Sequence, residues 1–206
     1  MILKVFLVAN PKGGSGKSTL ATNLAGLLAQ AKNAKVMLGD VDRQQSTAFW
    51  LRRRPSSVSA ISTWEIEPGK PARPPKGTTH AVLDTPAGLH DEKLKAIVKF
   101  ADRVLVPVQP SMFDLMASQA FFEELAELKA ARNLPVAVVG LRVDERTRSA
   151  EQFHRFIEST GLPLLTSLRN TQNYVQLAAH GLTLFDVAPH RVEKDLAHWE
   201  PIREWV

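Results

Sequence analysis

Cysteine is missing from all 206 residues. That excludes disulfides, thiolate catalysis and cysteine-held metal centres, and it fits a cytoplasmic location. Long apolar runs are missing too: none approaches the roughly 18 residues a membrane span needs. The opening stretch Met1 to Asn10 has a single lysine and no small-residue cleavage site, so it reads as a strand rather than a targeting segment. The six histidines, at positions 80, 90, 154, 180, 190 and 198, have no metal-ligand spacing. No Ser/His/Asp pairing stands out. Negative charge is in deficit, with 21 acidic against 26 basic residues and a formal net charge of +5. A surplus of that sign is compatible with a polyanionic partner, though charge alone identifies none.

What is present is a rhythm. Short apolar runs at 3–9, 35–40, 80–84, 103–108 and 135–143 alternate with helical patterns at 18–31, 46–54, 113–131, 147–159, 171–180 and 191–205. Within the third of these helices Phe121, Leu125 and Leu128 recur at i, i+4 and i+7, the spacing of one helix face. Strands alternating with helices predict a doubly wound α/β fold, a mostly parallel sheet with helices on both faces in three layers. The length fits one domain over 1–206. One stretch breaks the pattern: residues 55–79 hold Pro55, Pro68, Pro71, Pro74 and Pro75, which exclude a long helix. They read as a surface excursion around a short strand at 61–66.

The strongest signal is Pro11-Lys12-Gly13-Gly14-Ser15-Gly16-Lys17-Ser18-Thr19, placed between a predicted strand and a predicted helix, the context a phosphate loop requires. Gly13, Gly14 and Gly16 permit positive φ, so that backbone N–H groups turn inward as an anion nest. The helix that opens near Lys17 adds its positive dipole end. Lys17 is expected on the β- and γ-phosphates and the Ser18 hydroxyl on Mg²⁺, with Ser15 and Thr19 completing the nucleotide-binding run.

This loop departs from the standard G-x-x-x-x-G-K-[ST], since Pro11 stands where the first glycine belongs and Lys12 follows it. Lys-Gly-Gly-x-Gly-Lys-Ser resembles the deviant Walker A motif of the ParA/MinD/nitrogenase-iron-protein ATPases. In length and layout the chain is similar to small plasmid-type ParA proteins. The resemblance implies an ATP-dependent homodimer in which Lys12 reaches across to the partner's ATP. Asp40-Val41-Asp42-Arg43-Gln44 resembles the family's Asp-x-Asp-Pro-Gln segment. It implies that Asp42 orients the attacking water and that Asp40 supports the magnesium and the loop. Arg43 departs from the usual proline, which bears on the hydrolysis rate. His80 to Gly88 resembles the Walker B strand and second switch, with Asp84 holding Mg²⁺ and Gly88 allowing the backbone to move. Val106 to Ser111, running into Phe113 and Asp114, resembles the Pro-x-x-Pro-Ser segment whose following helix contributes to the dimer face. Arg142 and Asp144 fall where the family's adenine contacts begin, and Leu168 to Asp186 resembles the C-terminal third of small ParA proteins.

The resemblance implies a slow ATPase that binds MgATP, dimerises, coats non-specific DNA and is released when a ParB-like or other cargo adaptor stimulates hydrolysis. It would then be a cytoplasmic, nucleoid-associated protein with no stable membrane insertion. Candidate DNA contacts are Arg146, Arg148, Arg155, Arg169, Arg191 and Lys194. Phosphate contacts of this kind are strongly salt-dependent. The run Arg52-Arg53-Arg54 reads as a solvated basic cluster. Two alternatives stay open. A MinD-like membrane-surface switch would use the tail 195–206, whose Leu196, Trp199, Ile202 and Trp205 make a partly apolar face. A metabolic P-loop ligase would bring its own small substrate.

Overall fold

In the computed structural model, residues 3–42, 45–66 and 72–206 are described. The first strand, β1 (Lys4–Val8), is buried on both faces, with Val5 and Leu7 in one core and Phe6 and Val8 in the other. A central strand of a parallel sheet has this double burial, which explains why the apolar run is continuous rather than alternating with polar residues. The strands β2 (Val36–Asp40), β3 (Ile61–Ser62), β4 (His80–Asp84), β5 (Arg103–Val108), β6 (Val136–Leu141) and β7 (Leu164–Leu168) join it. The order is β3-β2-β4-β1-β5-β6-β7, and every pairing is parallel.

The helices divide between the two faces. On one side α3 (Asp91–Val98), α4 (Met112–Glu127) and α5 (Arg148–Thr160) contribute Leu94, Val98, Phe121, Leu125, Phe153 and Ile157. On the other α1 (Lys17–Leu28), α2 (Ser46–Leu51), α6 (Gln172–Ala179), α7 (Glu193–Ala197) and α8 (Glu200–Trp205) pack with Leu20, Leu24, Trp50, Trp199 and Ile202. The expected three-layer doubly wound architecture is therefore present, and the sheet is wholly parallel. From β1 the chain first builds toward β2 and β3, then returns past β1 to β5, β6 and β7. Ligands of such sheets bind where that direction reverses, beyond the C-terminal strand ends.

Several elements differ from the sequence-based expectation. β7 and α3 were not expected. The 61–66 strand pairs only through Ile61 and Ser62, and Trp64 and Ile66 instead pack where a Cβ on Gly39 would stand. The single helix expected over 191–205 is a 3₁₀ turn at Pro189–Arg191, then α7, then α8, with Pro201 in the first turn of α8. Proline cannot continue a preceding helix but suits the start of a new one. The tail's apolar side chains belong to the core: Trp199 and Ile202 are fully buried, and the Trp199 indole donates to the Tyr174 hydroxyl at 3.0 Å. No helix among the described residues is long and apolar enough to cross a membrane.

Candidate nucleotide site

The site lies at the C-terminal ends of β1, β2 and β4. Parallel register sets Asp40 beside Asp84 and Val8 beside Asp84, so the two carboxylates and the start of the phosphate loop share one level. Asn10 anchors the loop. Its amide donates to the Pro107 carbonyl at 2.8 Å and the Ser118 hydroxyl at 3.2 Å, and its Oδ1 accepts from the Lys12 N–H at 2.9 Å. Gln109 Nε2 ties the Gly14 carbonyl at 2.7 Å from the β5 side. Gly16 turns the chain into α1 at φ 91°, and a Cβ there would lie 2.3 Å from the Leu141 side chain. The positive φ favours glycine, and any Cβ there would also make the end of Leu141 turn aside.

Lys17 Nζ donates to the Lys12 carbonyl at 2.9 Å, which curls its chain over the loop. Burial pulls the Lys17 ammonium below the ordinary lysine range, while the Asp84 and Asp42 charges oppose that shift. The Ser18 hydroxyl donates to Asp84 Oδ2 at 2.7 Å. Asp84 is buried and its Oδ1 has no partner among the described residues. Burial pushes the Asp84 carboxyl up to about 7; the Ser18 hydrogen bond and Lys17 pull the other way, and Asp40 and Asp42 add to the rise. A buried carboxylate oxygen without a donor, next to a serine hydroxyl, suits a hard, oxygen-seeking cation. The residues present therefore fit Mg²⁺.

Asp40 is used differently. Its Oδ1 accepts from the Asp42 N–H at 3.0 Å, and its Oδ2 accepts from Thr47 N at 2.9 Å, Thr47 Oγ1 at 2.8 Å and Ala48 N at 3.1 Å. It thus folds the 40–42 loop and satisfies two of the orphan donors at the start of α2. Asp42 is close enough to act electrostatically on both Lys17 and Asp84. Arg43, the departure from the usual proline, lies outside the described residues.

Lys12 points to the side. Its ammonium contacts Asp114 Oδ2 at 2.6 Å, and the Ser111 hydroxyl donates to the same oxygen. Asp114 is buried in the first turn of α4, whereas Lys12 stays partly exposed. Around this pair Met112, Phe113 and Met116 are exposed by 62%, 78% and 64%, an apolar group at the mouth of the site. On the opposite side of the loop, the Gly88 N–H donates to the Pro11 carbonyl at 2.7 Å and links the segment after β4 to the phosphate loop.

Residues 6–184 match the CbiA family, the CobQ/CobB/MinD/ParA nucleotide binding domain. The chain belongs to this family. A curated relative is maintenance of carboxysome distribution protein A of Gloeobacter kilaueensis, 30% identical over 88% of this chain and 83% of that protein. The chromosome-partitioning ATPase Soj of Thermus thermophilus is 28% identical over 70% of this chain and 72% of its own length. Among solved structures, a Borrelia burgdorferi B31 protein described as a plasmid partition protein, bound to AMPPNP, superimposes with a TM-score of 0.78. It is 19% identical and each chain is covered completely, a likeness of fold.

The more distant candidates of this ParA/MinD-type chain are spread out. Arg142 ends β6 with a left-handed backbone at φ 56° and an exposed side chain. Asp144 is bound by Arg146 Nε at 2.9 Å and Nη2 at 2.8 Å, and this contact holds its carboxyl down at about 2. Of the proposed DNA contacts, Arg148 and Arg155 lie on α5, on one face of the sheet, with Arg155 near Glu151 at 3.5 Å. Arg191 and Lys194 are exposed on the other face, and Arg169 Nε is committed to the fully buried Asp195 at 2.6 Å. The six do not form one helix face. Sequence reasoning passed over Asn10 and Thr47 and placed Gln109 and Asp114 only within the segment that leads to a dimer-face helix, whereas all four hold the site's loops. The Ser111-x-x-Asp114 spacing at a helix start is the one local signal that could have found a member of this set. The run 52–54 also divides: Arg54 is buried in a bidentate pair with Asp186 at 2.8 Å on both arms, while Arg52 and Arg53 stay exposed.

Proposed function

We propose that this chain is an ATP-switched positioning protein: it binds MgATP, dimerises, holds non-specific DNA and lets go when a partner stimulates hydrolysis. The observation that carries this reading is Lys12, a second lysine in the phosphate loop that is held away from its own nucleotide site by Asp114 and lies beside the exposed Met112, Phe113 and Met116. A lysine placed so, at an apolar rim, is suited to another subunit's triphosphate. Lys17 and the Gly13, Gly14, Ser15 and Gly16 amides hold the phosphates in cis. Ser18 and Asp84 hold Mg²⁺, with Asp40 shaping the loop. When bound, the ion neutralises charge developing on the transferring phosphoryl group. Asp42 orients the attacking water. Among the described residues no strong base is dedicated to that proton, which fits a turnover that is slow until a partner acts.

The cargo class follows from the relatives' names, which speak of carboxysome distribution and of chromosome or plasmid partition. The DNA contacts are drawn from the exposed Arg148 and Arg155 of α5 on one face and the exposed Arg191 and Lys194 on the other, since Arg169 is committed to Asp195. The deciding experiment is binding to random-sequence duplex DNA at low salt with ATP, with ADP and without nucleotide, in the wild type and Lys12→Ala. Binding with ATP alone, lost in the variant, supports the reading. Absence of DNA binding in every state refutes its nucleoid form, and binding to phosphatidylglycerol vesicles in the same samples would turn the reading toward a membrane-surface switch.

A further inference from the structure

A hollow of about 240 Å³ lies over α1, between α2 and α6. Its floor is Ser18, Thr19 and Thr22, and its walls include Trp50, Arg53 and Ala178. Three independent features make it more than a surface dent. Trp50 lines the hollow, and its indole N–H is buried with no acceptor among the described residues. A buried donor of that kind is normally satisfied, so an acceptor from outside the described chain would complete it. At the rim Phe49 is 53% exposed, and the guanidinium groups of Arg52 and Arg53 lie 5.5 and 5.0 Å from its ring centre. Neither guanidinium has a carboxylate partner among the described residues, and both lie over the same ring. On the far wall α6 presents Ala178 and Ala179 together with Val175, one turn away on the same face and 61% exposed.

We infer that this groove receives a peptide segment of a partner protein, one that sets an apolar side chain into the hollow and a carboxylate against Arg52 and Arg53. The peptide's backbone carbonyl accepts from Trp50. The inference rests on the proposed function, because it locates the partner that sets hydrolysis. Nucleic acid fits the groove less well. The hollow suits one aliphatic side chain, and both arginines already cover the Phe49 ring on which a base would stack.

The position gives such a partner a lever on the chemistry. The floor is the first turn of α1, directly after Lys17. The wall is α2, whose Thr47 and Ala48 are clasped by Asp40. Arg54 fastens the end of α2 to Asp186 and to the Gly181 carbonyl, so that α2 is tied to the segment that follows α6. A segment wedged between them changes the setting of the 40–42 loop and of Asp42.

The test uses the full chain with ATP and Mg²⁺ as bait for a random peptide library displayed on phage, counter-selected on the Arg52→Glu/Arg53→Glu double variant. Enriched peptides are synthesised with fluorescein and titrated by anisotropy. The expected consensus joins an apolar residue to an acidic one. Affinity is expected to fall about tenfold in Phe49→Ala and in Val175→Asp, the latter being an exposed helix position that leaves the fold intact. The tryptophan emission change on binding disappears in Trp50→Phe. A basic consensus, no enrichment over the double variant, or unchanged affinity in Val175→Asp overturns the inference. So does loss of duplex DNA or phosphatidylglycerol-vesicle binding in the double variant without peptide enrichment, which would assign the arginines to a polyanion. ATP-dependent dimerisation and basal ATPase are measured in parallel: if both are intact and no peptide depends on the groove, the docking inference fails alone; if both are absent, the proposed function fails.

Discussion

Replacing Asp84 by asparagine should make the metal-free protein more stable while abolishing the proposed ATP hydrolysis. Asp84 is buried beside Asp40 and Asp42, and its carboxyl is raised from 3.8 to about 7. That rise corresponds to at most about 4 kcal/mol of destabilisation once the group is ionised. Relaxation of the site and the new amide donor reduce this to about 2 kcal/mol in practice. The Ser18 hydroxyl keeps an acceptor in the asparagine carbonyl, so no other contact is lost. The sign follows from linkage. A carboxylate whose folded value is raised favours the protonated fold, so wild-type stability falls as pH climbs from about 4 to about 7 and is level above. The gap between variant and wild type is therefore absent near pH 4, opens through that window and is full at about pH 8. For a chain of this size it amounts to a melting temperature roughly 4–8 °C higher in the variant. Thermal melts in EDTA at several pH values read it directly. Adding Mg²⁺ and AMPPNP narrows or reverses the gap, because the wild type gains more from ligand linkage. An asparagine variant that melts at or below the wild type at about pH 8 in EDTA, or a gap that ignores pH, would refute the reasoning.

Asp114→Asn removes the charge that holds Lys12 on its own subunit. Because Lys12 is one-third exposed, the pair is worth about 1 kcal/mol, so ATP-dependent dimerisation should need roughly fivefold less ATP in sedimentation experiments. Gly16→Ala forces a Cβ into Leu141 at a positive φ, and calorimetry should detect no ATP binding. Arg54→Ala strands the buried Asp186 charge and should lower unfolding free energy by about 3–5 kcal/mol in urea, with Arg54→Lys recovering only part because it cannot form the bidentate fork.

The strands that carry the site were legible because central parallel strands are apolar throughout, and the phosphate loop because its glycines, lysine and serine follow one another along the chain. The elements that escaped are those whose local signal is weak. α3 has only eight residues, of which Leu94 and Val98 alone are fully buried. β7 is an edge strand that is mostly half-buried and contains Thr166 and Ser167, so it lacks the apolar density of the centre. The tail from 191 read as one amphipathic helix because Leu196, Trp199 and Ile202 keep a helical spacing; Pro201 divides it, and packing against Tyr174 and Phe185 decides that its apolar face is core.

By itself the sequence determined the phosphate loop, the order of the three acidic and phosphate-binding motifs, and the alternation that makes a parallel sheet, since each is a property of neighbouring residues. Tertiary structure alone decided which charges act together. Register brought Asp40 and Asp84 to one level although 44 residues apart, since parallel strands align their C-terminal ends whatever the length between them. Folding also split three consecutive arginines between two fates. Arg54 turns inward to a carboxylate 132 positions away, while Arg52 and Arg53 stay at the surface over Phe49. Burial is set by what the rest of the chain supplies at each point, and no stretch of local sequence contains that information.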